Sequence, residues 1–163
     1  MTGQAIARGP ELFARIGEQK LREVITDFYS RVFGDVMIGF MFEGKNRQHL
    51  IDREYEFTAS LLGGDVKYTG RPIRTAHAKT PIFGGHFERR LQILRETLRD
   101  QAVDPDVQKV WIDHTLALRD QITADKGSEC KDTSVVAPPE GAPLGVASPG
   151  PDPDARIKLG KKR

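Results

Sequence analysis

The chain has a single cysteine, Cys130, among 163 residues. It can form no internal disulfide and no cysteine-built metal site, and the expected compartment is the reducing cytoplasm. Aromatic residues are scarce, at 7%. No apolar run approaches the roughly 18 residues that a spanning helix needs, so no membrane crossing is expected. The opening stretch, MTGQAIARGPELF, has no hydrophobic centre of the secretory kind, and export by that route is not expected. An excess of one charge is missing too: 25 Lys+Arg face 23 Asp+Glu, a formal +2. That balance implies neither nucleic acid nor an anionic membrane as partner. Common catalytic signatures are also absent: there is no G-x-S-x-G, no P-loop, no G-x-G-x-x-G and no Cys–His arrangement.

What is present divides into three parts. Residues 1–9 read as a flexible N-terminus and 10–126 as one folded domain. Residues 127–163 hold six prolines and scattered apolar residues, ending in the basic run from Ile157 to Arg163. Such a segment cannot bury enough surface to offset the entropy of ordering, so it reads as a disordered Pro/Gly-rich tail. The domain reads as helices over 10–17, 18–34, 47–62, 86–100 and 105–124, with an apolar turn or short helix in 35–45. Leu21, Val24, Ile25, Phe28 and Val32 share one face of the second helix. Asn46 is placed to cap the helix at 47, and Gly63-Gly64 to stop it. Residues 65–72 read as a loop, and a short helical piece then carries His77. No run of alternating β-branched residues occurs, so the expected fold class is all-α.

Some residues sit awkwardly in a plain helical core. Leu50, Phe57 and Leu61 are in register, and Glu54 falls in the same stripe. A carboxylate there faces a polar cavity or lies at the stripe edge and reaches water, because burial without a partner costs several kcal/mol. Tyr29 follows Phe28 on the inner side of its helix, and a buried phenol needs a hydrogen-bond partner. His77 has no second histidine or carboxylate at i+3 or i+4, which argues against a paired-ligand zinc site. A lone imidazole can still hold a metal whose other ligands come from a cofactor. His49 and His114 read as surface residues, and His86 as a cap for the next helix.

Taken in order, Phe28-Tyr29, Phe42, Leu61-Leu62-Gly63-Gly64, Lys67-Tyr68-Thr69-Gly70-Arg71, Ala76-His77 and His86-Phe87 resemble the truncated haemoglobins over about residues 10–124. The resemblance implies a globin-like sandwich of two helices over two around one haem b. It implies His77 as the iron ligand, with Tyr29 and Glu54 acting on the bound ligand. It further implies haem contacts from Phe28, Phe42, Leu50, Arg53, Phe57, Tyr68, Arg74, His77 and Phe87. A backbone carbonyl one turn earlier, that of Ile73, is the expected partner of the second ring nitrogen of His77.

The chain also departs from the family. Gly17-Glu18 stands where many relatives have Gly-Gly, and Leu50 where Gln or His is frequent. Arg90 lies near the place where one subgroup has Trp. The loop spacing resembles the first subgroup and the step from His77 to His86 the third, so the two subgroups stay open. The resemblance implies binding of O2, NO and CO, with oxygen transport or NO detoxification as the role. Possible NO dioxygenase or peroxidase-like turnover needs a separate reductase. The expected state is a monomer or weak dimer, without nucleic-acid or membrane partners. The alternatives are a gas or redox sensor acting through the tail, and a helical protein without haem.

Overall fold

The computed structural model describes residues 9–125. The tail expected over 127–163 and nearly all of the expected N-terminal segment lie outside the described residues. Among the described residues seven helices follow in order: α1 Pro10–Ile16, α2 Glu18–Gly34, α3 Arg47–Leu61, α4 Ile73–His77, α5 Gly84–Asp100, α6 Pro105–Ala117 and α7 Arg119–Ile122, with a 3-10 turn at Gly39–Phe42. No strand occurs among the described residues; Ile82 and Thr123 form an isolated bridge. Helix α2 packs against α3 and α5, and α5 against α6. The result is the expected all-α arrangement of two helices over two.

Helix ends follow local chemistry. Pro10 and Pro105 start α1 and α6, where a missing N–H costs nothing. The Asn46 side chain accepts from the His49 N–H at 3.0 Å, and that of Asp104 from the Asp106 N–H at 2.9 Å. At the end of α3 the Gly64 N–H bonds to the Ala59 carbonyl at 2.8 Å. This closure requires a left-handed residue, supplied by Gly63 at φ 86. The Phe13 N–H then bonds to the Leu62 carbonyl at 3.1 Å, which fastens α1 to the end of α3.

The apolar face expected on α2 is buried at all five positions. Each such side chain contributes about 2 kcal/mol as an upper estimate. These side chains centre a core completed by Ile51, Tyr55, Leu94, Leu98, Val107 and Trp111. Asp35 begins the turn after α2, accepting from the Met37 and Ile38 N–H groups while pairing with Arg89 at 2.7 Å. The Arg89 hydrogen bond holds the Asp35 carboxyl below its usual range. Arg31, held by Asp27 on its own helix at 3.0 Å, joins α2 to α5 through Asp100 at 2.8 Å.

Three expectations are corrected. The fourth long helix starts at Gly84 rather than 86: the Gly84 N–H donates to Asp125 Oδ2 at 2.7 Å, and a Cβ there would meet Arg119 and Asp125 atoms at 3.0 Å. The glycine pair is therefore its first turn. The helix expected over 105–124 divides at Leu118, whose N–H bonds to the Thr115 carbonyl one residue short of α-helical spacing. Beyond it α7 packs on α4, and the Ala124 N–H bonds to the Ile82 carbonyl at 2.8 Å. On α3 the deeply buried residues are Ile51, Tyr55, Thr58 and Ala59. The stripe read from the sequence, Leu50, Glu54, Phe57 and Leu61, is only half-buried. One face of α3 thus meets the core, and the neighbouring face borders something else. Among the described residues no helix is long and apolar enough to cross a membrane.

The glycines make a direct stability test. A Cβ at Gly63 would sit 2.3 Å from the Gly9 carbonyl carbon, whereas one at Gly44, φ 69, meets nothing within 4 Å. Gly63→Ala should cost at least about 3 kcal/mol, and Gly44→Ala only about 1 kcal/mol for the left-handed backbone. Urea unfolding of the two variants checks this, and equal losses would show that α1 yields at that contact.

Candidate functional site

The half-buried face of α3 leads to the site. Glu54 Oε2 lies 3.1 Å from Arg90 Nη2 on α5, and the Tyr29 hydroxyl on α2 donates to the same oxygen at 3.4 Å. Three helices therefore place a phenol, a carboxylate and a guanidinium together. The Arg90 guanidinium also stands over the Phe28 ring, 4.8 Å from its centroid. Glu54 is not unpaired, because Arg90 compensates its charge. Tyr29 is buried, while 26% of the Arg90 side chain and 17% of that of Glu54 are open. Burial, and then the Glu54 charge, push the Tyr29 hydroxyl far above its ordinary pKa, so it remains a proton donor.

His77 ends the five-residue helix α4 and is half-buried. Its Nδ1 lies 2.7 Å from the Ile73 carbonyl, the partner expected from the one-turn spacing. A carbonyl oxygen only accepts, so Nδ1 carries the proton and the Nε2 lone pair is free. Burial pushes the imidazole below its ordinary value, against the Ile73 bond. The charges of Arg90 and Glu54 both reach the ring, although no hydrogen bond joins them to it. His77 thus shares its surroundings with the Tyr29 group while standing apart from it.

The other expected residues are placed as follows. Phe28 is buried, edge-on to Tyr29 at 5.3 Å, and Phe42 stands edge-on to Tyr29 at 6.5 Å. Leu50 is half-buried on the Glu54 side of α3. Phe57 meets Tyr68 edge-on at 5.2 Å, and the Tyr68 hydroxyl donates to the Arg71 carbonyl at 2.9 Å. Phe87 and Leu91 are buried without joining the main core cluster. Arg53 is paired with Glu56 at 2.9 Å, while its Nε is buried and lacks an acceptor. Glu56 also accepts from the Thr69 N–H at 2.9 Å, which fastens the 65–72 loop to α3 and holds this carboxyl below its usual range. Arg74 is exposed and has no ion pair among the described residues; it is not brought to the Tyr29 group.

Of the remaining histidines, His49 is exposed and His86 accepts from the Phe83 N–H at 3.3 Å, as expected of a cap. His114 is not a surface residue. It is half-buried, packed on Phe57 at 5.4 Å, and burial pushes its pKa down while the Glu54 charge opposes this. α6 turns that ring toward α3, which a local reading of Asp113-His114-Thr115 does not reveal. Arg90 went unassigned by sequence reasoning. The available signal was its register, three residues after Phe87 and four before Leu94, within the apolar face of α5.

The chain is similar to known proteins over most of the described residues. The bacterial-like globin family model matches residues 11–124. The chain is 35% identical over 82 residues to the group 1 truncated hemoglobin GlbN of Mycolicibacterium paratuberculosis, a match covering 50% of this chain and 60% of that protein. It is 26% identical over 99 residues to the group 1 truncated hemoglobin of Tetrahymena thermophila, covering 60% of this chain and 82% of that one. Its fold superposes on the ferric form of truncated hemoglobin from Tetrahymena pyriformis with a TM-score of 0.62 at 22% identity, covering 69% and 97% of the two chains.

Two outcomes follow from the electrostatics. Arg90→Gln leaves the Glu54 carboxylate inside without its counter-charge and should cost about 3 kcal/mol; adding Glu54→Gln should recover most of that loss. Urea unfolding of both variants reads the coupling, and simple additivity would show that the pair is not coupled. The second outcome concerns His114, whose folded pKa lies below its unfolded value of 6.5. Protons therefore bind the unfolded chain first as pH falls. Stability is intact above about that pH and declines below it, so the native chain should lose stability relative to His114→Gln between pH 7 and pH 5. A pH-independent difference in urea midpoints would mean that the ring is fully hydrated.

Proposed function

The chain belongs to the bacterial-like globins, as a truncated haemoglobin, and from that premise we propose that it is a haem b protein that binds diatomic gases, with His77 as the iron ligand. The observation that carries the reading is the state of that ring: Nδ1 is bound to Ile73 at 2.7 Å and Nε2 is free. The surroundings fit an iron porphyrin in three further ways. Apolar Phe57, Phe87 and Leu91 stay outside the main core cluster. Arg53 has a buried Nε with no acceptor, a donor suited to an anionic propionate. Glu54 and Arg90, paired with each other, keep part of their side chains open.

The haem would be held by His77, with Phe42, Leu50, Phe57 and Phe87 against its apolar faces and Arg53 and Tyr68 toward its edge. Bound there, it supplies the coordination position for O2, NO or CO and the redox chemistry. The protein's part is ligation, exclusion of water and placement of protons. The Ile73 carbonyl fixes the tautomer and orientation of His77 and makes Nε2 a better donor. Tyr29 keeps its proton, and its 3.4 Å bond to Glu54 is long enough that the hydroxyl can turn to a better acceptor. Arg53, tied to Glu56, is not free to swing in as a distal ligand.

Tyr29 and Arg90, gathered on Glu54, would be the donors available to a ligand of the haem, and strong donors slow ligand release. That favours retention and turnover, such as NO dioxygenation with a separate reductase, over oxygen delivery. Purified wild type should show a Soret band, and His77→Ala should lose it or bind haem without a defined axial ligand. Absorption spectra of the ferric, ferrous and CO-bound forms are the measurement. A wild-type chain without a Soret band, or a His77→Ala variant with unchanged five-coordinate spectra, would overturn the assignment.

A further inference from the structure

Arg90 has more hydrogen-bonding capacity than the protein uses. A guanidinium carries five N–H donors in a planar fork. Its Nη2 meets Glu54 Oε2 at 3.1 Å, and the Tyr29 hydroxyl shares the same group. No other acceptor meets the guanidinium among the described residues, and 26% of the side chain is open. The Phe28 ring lies 4.8 Å from the guanidinium carbon and restrains its plane. A cation taken out of bulk water recovers its lost hydration only through acceptors brought to it. Glu54 supplies these along one edge and leaves the rest of the fork partly open.

We propose that Arg90 makes its surroundings a receptor for small monovalent anions of the azide and nitrite class and sets a preference for them over neutral gases. The inference rests on the haem reading above, which makes the space beside Arg90 the ligand site. Charge-assisted hydrogen bonds are about twice as strong as neutral ones, so an anion gains far more from the free donors than CO does. The low dielectric of the interior enlarges the difference. Glu54 opposes entry of a second negative charge and thereby sets the threshold. Removing its charge should strengthen anion binding, and removing both charges should weaken it.

The test uses the haem-loaded full chain at pH 7, with sodium azide as the anion and CO as a neutral probe of similar size. Azide affinity of the ferric protein and CO affinity of the ferrous protein are read from Soret shifts, and their ratio is compared between variants. The ratio should rise about tenfold in Glu54→Gln and fall at least about tenfold below wild type in R90Q/E54Q. The double variant carries no unpaired interior charge, so it decides the matter even if Glu54→Gln folds poorly. A ratio within about threefold of wild type in R90Q/E54Q overturns the role of Arg90, as does a parallel change in both affinities, which means reshaping of the site. Absence of a Soret band from wild type is a separate result that removes the haem reading itself.

Discussion

A carboxylate on α3 and a guanidinium on α5 meet 3.1 Å apart inside the helical shell, and each is tolerable there because of the other. An uncompensated charge in that place costs several kcal/mol, more than most single contacts in the core supply. The pair therefore constrains how α3 and α5 pack, and it brings Glu54 within reach of the Tyr29 hydroxyl on α2. Stability alone gives no reason to keep such a pair, because apolar side chains of similar volume serve a core as well or better. Its presence marks a place where the interior is organised for polar chemistry.

The second constraint lies in α4. A helix of five residues has almost no stability of its own, yet its final residue must hold one orientation. The Ile73 carbonyl ties one ring nitrogen, α7 packs on the same short helix, and the Ile82–Thr123 bridge closes the segment behind it. The break at Leu118 belongs to this arrangement, since a helix continuing straight through 124 would not bring Thr123 to Ile82. The end of the described chain thus supports the imidazole that the proposed chemistry requires.

Helix α3 shows how a correct pattern can receive the wrong partner. Leu50, Glu54, Phe57 and Leu61 do form one face, as their spacing says. That face is only half-buried, while Ile51, Tyr55, Thr58 and Ala59 on the adjacent face enter the core. Periodicity reports that a surface avoids water, but not whether protein or a bound group covers it. The misplacement of His114 has the same origin: its neighbours in sequence are polar, and its neighbours in space are Phe57 and the field of Glu54.

Local sequence determined the helices, because caps, breakers and apolar spacing act over a few residues. It determined the all-α class and the His77–Ile73 bond, which spans one turn, while the two-over-two arrangement was implied only by the family resemblance. It also marked Tyr29 and Glu54 as polar groups in apolar stripes. Only the tertiary structure decided that Arg90, 36 positions after Glu54, is the partner that makes that carboxylate tolerable. It alone turned Arg53 to Glu56 and His114 to Phe57, and it bent the last helix back over α4. The reason is range: hydrogen bonds within a turn follow from spacing, whereas a charge pair between helices depends on the angle and offset at which those helices pack.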